Sequence, residues 1–194
     1  MPQKPLPQVI SSDFFARKTL QVAKDLLGCF LVCRHPTSGK RLAFKICETE
    51  AYTQDDPACH AYQKKPVGRA ATLFREPGLS YVYLIYGMHH CLNVVTEKEG
   101  TGAAVLFRGL EPPAGYAELN TKGPGRLCRA LGITRDTHNE RLMTNPKSLL
   151  YIVQGPKPAR GKIIQTTRIG ITKAVDYPWR FYLKDSDYVS VKET

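Results

Sequence analysis

No apolar run in this sequence approaches the ~18 residues that a membrane-crossing helix needs, so no such helix is expected. The opening stretch MPQKPLPQVI has no apolar h-region and no small-residue cleavage site. A secretory signal is therefore not expected, and the chain is expected to act inside the cell with no membrane partner. Internal repeats and low-complexity tracts are absent. Metal motifs are missing too: Cys29 and Cys33 in CFLVC lack the spacing of a zinc knuckle, and neither H-E-x-x-H nor the deaminase pattern H-x-E with P-C-x-x-C occurs. Cys59-His60 and His89-His90-Cys91 are runs of adjacent residues, which a strand points to opposite faces. No metal and no other cofactor is expected. A chain this long does not need a disulfide framework, so the six cysteines read as reduced thiols behaving as small hydrophobes.

Acidic residues are scarce. The chain holds 17 Asp and Glu against 28 Lys and Arg, a net charge of +11. Residues 120–180 alone carry 12 basic against 3 acidic side chains, which is +9 of that total. A solubility charge could be spread anywhere, whereas charge gathered in one segment favours a face that binds a polyanion, nucleic acid above all. GPGR at 123–126 lacks the GxxxxGK[ST] form of a nucleotide-binding loop, yet a helix start with an arginine beside it can hold a single phosphate.

What is present fits one globular domain: 194 residues, 42% hydrophobic and 23% charged. Residues 1–11, with prolines at 2, 5 and 7, read as a loose tail, and 12–194 as a single domain. The spacing predicts helices over 13–28 and 122–133. Strands are expected at 29–34, 41–52, 80–86, 91–97, 103–112, 148–154, 163–171 and 179–184. Strands outnumber helices without alternating with them, which predicts an α+β fold: a mostly antiparallel, curved sheet with flanking helices.

Two stretches carry the chemistry. In ETEAY, alternation sets Glu48, Glu50 and Tyr52 on one face and Cys47, Thr49 and Ala51 on the other. Two carboxylates beside an aromatic either line a pocket or point into solvent at a strand end. In SYVYLIYGMHH, Tyr81 and Tyr83 share a face, open to either a core or a stacking role. Tyr86 precedes Gly87 at a strand tip, where an outward aromatic could wedge between bases.

These stretches, followed by VLFRGLEP, GPGRLCRALGI and RIGI…PWRFY…VSV, resemble the alkyladenine (3-methyladenine) DNA glycosylase family. The family meant is the one typified by the human alkylpurine enzyme, not the helix-hairpin-helix glycosylases. The resemblance spans residues 12–191 in order. It departs in a slightly shorter loop after Tyr52 and in His89-His90, which stand where the human protein has aromatic residues. The resemblance implies hydrolysis of the N-glycosidic bond of alkylated or deaminated purines flipped out of duplex DNA. Glu50 would be the general base for a water held also by Arg108 and the main-chain carbonyl of Ile169. Tyr52 would stack on one side of the base, His60 and Tyr83 on the other. Asn93 would gate the pocket against unwanted exocyclic amines, and Tyr86 would fill the gap in the duplex. Implied too are a monomer acting on double-stranded DNA with damaged purines, located wherever the cell keeps its DNA. Arg108 should favour the ionised form of Glu50. The absence of an evident lysine nucleophile in these segments points to water attack rather than a Schiff base. A rival from another class is a non-catalytic nucleic-acid binding module built on tyrosine stacking.

Overall fold

The computed structural model describes residues 8–193. Helices α1 (Ser12–Phe15) and α2 (Thr19–Asp25) lead into strands β1 (Phe30–Arg34) and β2 (Arg41–Tyr52). A 3₁₀ helix (Gly68–Phe74) precedes strands β3 (Ser80–Ile85), β4 (His89–Val95) and β5 (Ala104–Glu111). Helices α3 (Pro124–Leu131) and α4 (Arg135–His138) follow, then β6 (Leu150–Val153), β7 (Ile163–Thr166) and β8 (Arg180–Leu183). The strands form one sheet in the order β3-β4-β5-β2-β1-β6, with β8 also on β2 and β7 on β8. Every pairing between these strands is antiparallel, as the α+β reading expected.

Strand β2 positions everything else. One of its edges pairs with β5 from Lys45 to Tyr52, while the other is shared: β1 covers Arg41–Lys45 and β8 covers Glu48–Glu50. The sheet forks there. Opposite the fork the β2–β5 register slips twice, leaving first Cys47 and then Arg108 without a partner. Such bulges bend a strand and re-aim its side chains. Arg108 is thus the extra residue of β5, set between Glu48 and Glu50.

The sheet has two buried faces. Phe44, Ile46, Cys47, Ala51, Leu92 and Phe107 belong to the main core with Val22 and Ala23 of α2, Leu26 just after it, and Leu127 and Leu131 of α3. Each fully buried Leu, Ile or Phe contributes roughly 1.5–3 kcal/mol. The other face carries a smaller cluster in which Tyr81, Val95 and Ala104 meet Cys59, Ala61, Leu73 and Phe74 from the 53–74 segment. All six cysteines are buried and free.

Several sequence expectations need correction. The helix expected over 13–28 is two helices, because Glu97 takes the start of the second: its Oε1 accepts from the Thr19 N–H at 3.2 Å and the Thr19 hydroxyl at 2.6 Å. A carboxylate at a helix N-terminus satisfies an otherwise unpaired donor. The strand expected over 163–171 stops at Thr166. Beyond it the Arg168 side chain turns into the protein and the Ile169 N–H goes to Glu50 instead of a ladder partner. The 3₁₀ helix and α4 were not expected. Of the tail, residues 1–7 lie outside the described residues. Residues 8–10 pair with β6 through the Ile10 N–H to Ile152 (3.0 Å) and the Gln154 N–H to Gln8 (2.7 Å).

Candidate active site

Glu50 and Tyr52 of the expected β2 face do line a pocket, whereas Glu48 lies outside its lining. A cavity of about 580 Å³ is bounded by Glu50, Tyr52, His60, Tyr83, Tyr86, Asn93, Arg108 and Ile169, all eight residues singled out from the sequence. That volume is ordinary for a small-ligand site. The start of α3, Lys122 to Arg126, lines the cavity as well.

Glu50 is fully buried. Its Oε2 accepts from the Tyr52 hydroxyl at 2.8 Å and its Oε1 from the Ile169 N–H at 3.0 Å. The Arg108 Nη1 lies 3.4 Å from Oε1 of Glu50 and donates to the Ile169 carbonyl at 3.5 Å. Burial raises the Glu50 pKa; Arg108, the Ile169 N–H and the Tyr52 hydroxyl pull it back, and Glu48 adds to the rise. The net direction is upward. Arg108 favours the ionised form, as expected, but desolvation outweighs it.

Glu48 has its own partners and stands behind Arg108. It accepts from the Ser190 N–H (2.7 Å), the Ser190 hydroxyl (2.9 Å) and the Arg180 Nη1 (2.8 Å). Its Oε1 is also 3.6 Å from the Arg108 Nε, which donates to the Ser190 hydroxyl at 3.0 Å. Gly109 allows this closeness: a Cβ there would meet the Tyr188 carbonyl at 2.6 Å and the Cβ of Glu48 at 3.0 Å.

The aromatic wall is a packed set. The rings of His60 and Tyr83 sit 4.6 Å apart, edge to face, and Tyr81 and Tyr83 are 5.5 Å apart. The Nδ1 of His60 is 2.9 Å from the Tyr81 hydroxyl. Burial, with Arg69 and Lys64 nearby, pushes the His60 pKa down to about 4, so the ring is neutral at physiological pH. Burial, then the neighbouring Glu50, holds the Tyr52 phenol well above its usual pKa, so it remains a donor. Asn93 is buried and fixed by its Nδ2, which donates to the Tyr81 carbonyl at 3.0 Å.

Tyr86 stands at the tip of the β3–β4 hairpin, 81% exposed, beside Met88 at 71%. Tyr86 has φ of 52° and Gly87 φ of 69°, both left-handed, in the three-residue connection between the paired Ile85 and His89, where the Met88 N–H donates to the Ile85 carbonyl at 3.3 Å. For a tyrosine that conformation costs about 1–3 kcal/mol and is found where the surroundings over-determine it. His89 lines the cavity, packed so near α3 that a Cβ on Gly125 would lie 3.2 Å from it. His90 lies outside that lining, and its Nδ1 is buried without a hydrogen-bond partner among the described residues.

The profile of methylpurine-DNA glycosylase matches residues 13–187. This chain is a member of the methylpurine-DNA glycosylase family. A relative from Salinibacter ruber is 44% identical over 96% of this chain and 97% of its own length. Relatives from Methanoculleus marisnigri and Carboxydothermus hydrogenoformans are each 45% identical, over 93% and 95% of this chain and 98% and 100% of their own. All three are provisionally named as 3-methyladenine DNA glycosylases.

In this member of the methylpurine-DNA glycosylase family, sequence reading missed four residues around the cavity. Asp56, Arg168, Arg180 and Ser190 are polar residues held in buried ion pairs or hydrogen bonds. Their signal was weak, since each partner lies far off in the chain. The basic segment is also smaller on the surface than its count, because Arg168 and Arg180 are buried. Among the described residues no group of three or more His, Cys, Asp or Glu could hold a metal ion, and no helix is long and apolar enough to cross a membrane.

Proposed function

We propose that this protein is a monofunctional DNA glycosylase that hydrolyses the N-glycosidic bond of alkylated or deaminated purines in duplex DNA and so starts base excision repair. The observation that carries the reading is Glu50: a buried carboxylate gripped by Arg108, Tyr52 and the Ile169 N–H, in a cavity walled by aromatic rings. The relatives' names supply the same activity.

A base inside the stack is out of reach, so the damaged nucleotide is flipped into the cavity, and damage lowers the cost of opening its pair. Tyr52 takes one face of the base; His60 and Tyr83 take the other. Alkylation leaves a purine electron-poor and often cationic, and such rings bind well between aromatic faces. The neutral His60 adds no opposing charge. Asn93, held by the Tyr81 carbonyl, is a polar gate against an unsuitable exocyclic amine. Tyr86 fills the gap in the duplex.

Glu50 accepts a proton from the attacking water while its charge stabilises the oxocarbenium-like sugar. Arg108 and the Ile169 carbonyl orient that water. The reaction balances as plain hydrolysis: water gives its hydroxyl to the sugar carbon and its proton to Glu50, and the base leaves with the bonding electron pair. A neutral purine takes up that proton as it departs, whereas a cationic one leaves uncharged and Glu50 releases the proton to solvent. No cofactor is required. Lys122, Arg126 and the N–H groups starting α3 hold a backbone phosphate at the cavity mouth. The protein acts as a monomer on double-stranded DNA, in whichever compartment holds it.

Incubation with a duplex carrying one lesion, followed by assay for the abasic site with and without EDTA, tests this. Equal release of base in both conditions is expected. Tight DNA binding with no base released would favour the binding-module reading.

A further inference from the structure

We propose that the buried Asp56–Arg168 pair determines substrate charge specificity: it braces Tyr52 from behind and keeps the net charge behind that ring at zero, so that a cationic purine can stack on the opposite face. The inference rests on the glycosylase reading and names a device that selects within its substrates.

Tyr52 lines the cavity and Arg168 does not. The guanidinium nevertheless lies 4.6 Å from the Tyr52 ring centroid, and 5.2 Å from that of Trp179. It therefore covers the face of Tyr52 turned away from a bound base. Both side chains of the pair have no solvent exposure. The Arg168 Nη2 donates to Oδ1 of Asp56 at 2.9 Å, and Nη1 donates to Oδ2. Nη1 also donates to the Ala51 carbonyl at 3.0 Å, and Nη2 to the Ala174 carbonyl at 3.4 Å. One arginine thus ties β2, the loop leading to His60 and the segment carrying Ile169. Asp56 itself fixes that loop by accepting from the Ala58 N–H at 2.9 Å.

The electrostatic consequence follows from the geometry. A cation is drawn to the negative face of an aromatic ring. A second cation on the far face cancels that attraction and repels the first through a water-free layer, where screening is weak. Arg168 alone would therefore make Tyr52 a poor partner for a purine made cationic by alkylation. Asp56, bonded to both guanidinium nitrogens, removes the penalty while leaving the planar brace in place. A neutral purine, such as one deaminated without alkylation, is indifferent to this charge.

The test compares single-turnover excision of 7-methylguanine, which is cationic, and hypoxanthine, which is neutral, from otherwise identical duplexes. The readout is the ratio of the two rates. Asp56→Asn leaves Arg168 uncompensated and should lower the ratio on the order of tenfold. Arg168→Gln leaves a carboxylate behind the ring and should hold or raise the ratio. The double variant, neutral again, should return to within about threefold of the wild-type ratio even if both rates fall. A pair that served only as scaffold would move the ratio in the same direction in both single variants, or not at all, and either result overturns the proposal. Should Asp56→Asn fail to fold, a lowered ratio in Arg168→Gln is enough to overturn it. A wild-type protein that excises neither lesion overturns the glycosylase reading and this inference with it. Activity with an unmoved ratio in a folded Asp56→Asn overturns this inference alone.

Discussion

The Tyr52 hydroxyl donates to Oε2 of Glu50 at 2.8 Å, two residues back on the same strand face. A single strand therefore supplies both the cavity's aromatic ring and its buried carboxylate, and it joins them. Tyr52 cannot shift against a bound base without disturbing Glu50.

Replacing Glu50 by Gln keeps the shape and removes the proposed general base. Excision should fall by at least the ~10²–10⁴-fold that positioned proton transfer contributes, while lesion DNA still binds. Single-turnover rates beside a binding titration check this. Near wild-type excision would remove Glu50 from the mechanism.

The same substitution should make the protein more stable at neutral pH. A carboxyl whose pKa rises on folding binds its proton more tightly when folded, so its ionised form opposes folding. Stability from this group is greatest below the ordinary carboxylate range and falls as pH rises towards the raised folded value. A neutral Gln escapes that loss, and each kcal/mol recovered should lift Tm by about 2–4 °C. Thermal unfolding of both proteins at pH 7 measures it.

The acid side of the pH–rate profile should follow Glu50. With Glu50 as the proposed general base, activity requires its ionised form, so kcat/KM should fall as pH drops through a value above the usual carboxylate range. Tyr52→Phe removes a donor that favours the charged form, and it should move that inflection further up while leaving a ring to stack. An inflection that stays put would separate the titrating group from Glu50.

Glu48→Gln should damage the fold, in contrast to Glu50→Gln. It leaves Arg180 short of a buried carboxylate, a loss of about 3–5 kcal/mol when such a pair is broken. Tm should drop sharply and activity should follow through Arg108. A Tm equal to wild type would show that Ser190 and Arg180 do not depend on the charge.

Tyr86→Ala should weaken excision more from stable base pairs than from mismatched ones, which are cheaper to open. Because Tyr86 is exposed and alanine keeps its Cβ, Tm should hold. Equal losses on both substrates would argue against a wedge.

The parts of the fold legible in the sequence were those set by near neighbours. Alternation in RLAFKICETEAY predicted β2 to both ends, and the helix-starting GPGR segment opens α3. The face shared by Glu48, Glu50 and Tyr52 followed from the same period. What stayed hidden depends on partners distant in the chain. Glu97 caps α2 from 78 residues away, and Arg168 finds Asp56 across 112. Local periodicity holds no trace of either, nor of the slipped register that leaves Arg108 unpaired. The resemblance nominated Arg108 and Ile169, but the reasons they meet Glu50 are a bulge and a broken strand.

The clasp on Glu48 also bears on the order of synthesis. Ser190 follows Glu48 by 142 residues, and the Val191 carbonyl accepts from Arg180 at 2.8 Å. A chain growing from the ribosome carries both glutamates and nearly all of the cavity wall long before it carries this clasp. Until those last residues emerge, Arg108 and Glu48 lack their shared partner, Ser190. The geometry around Arg108 is therefore completed by residues translated well after the aromatic wall.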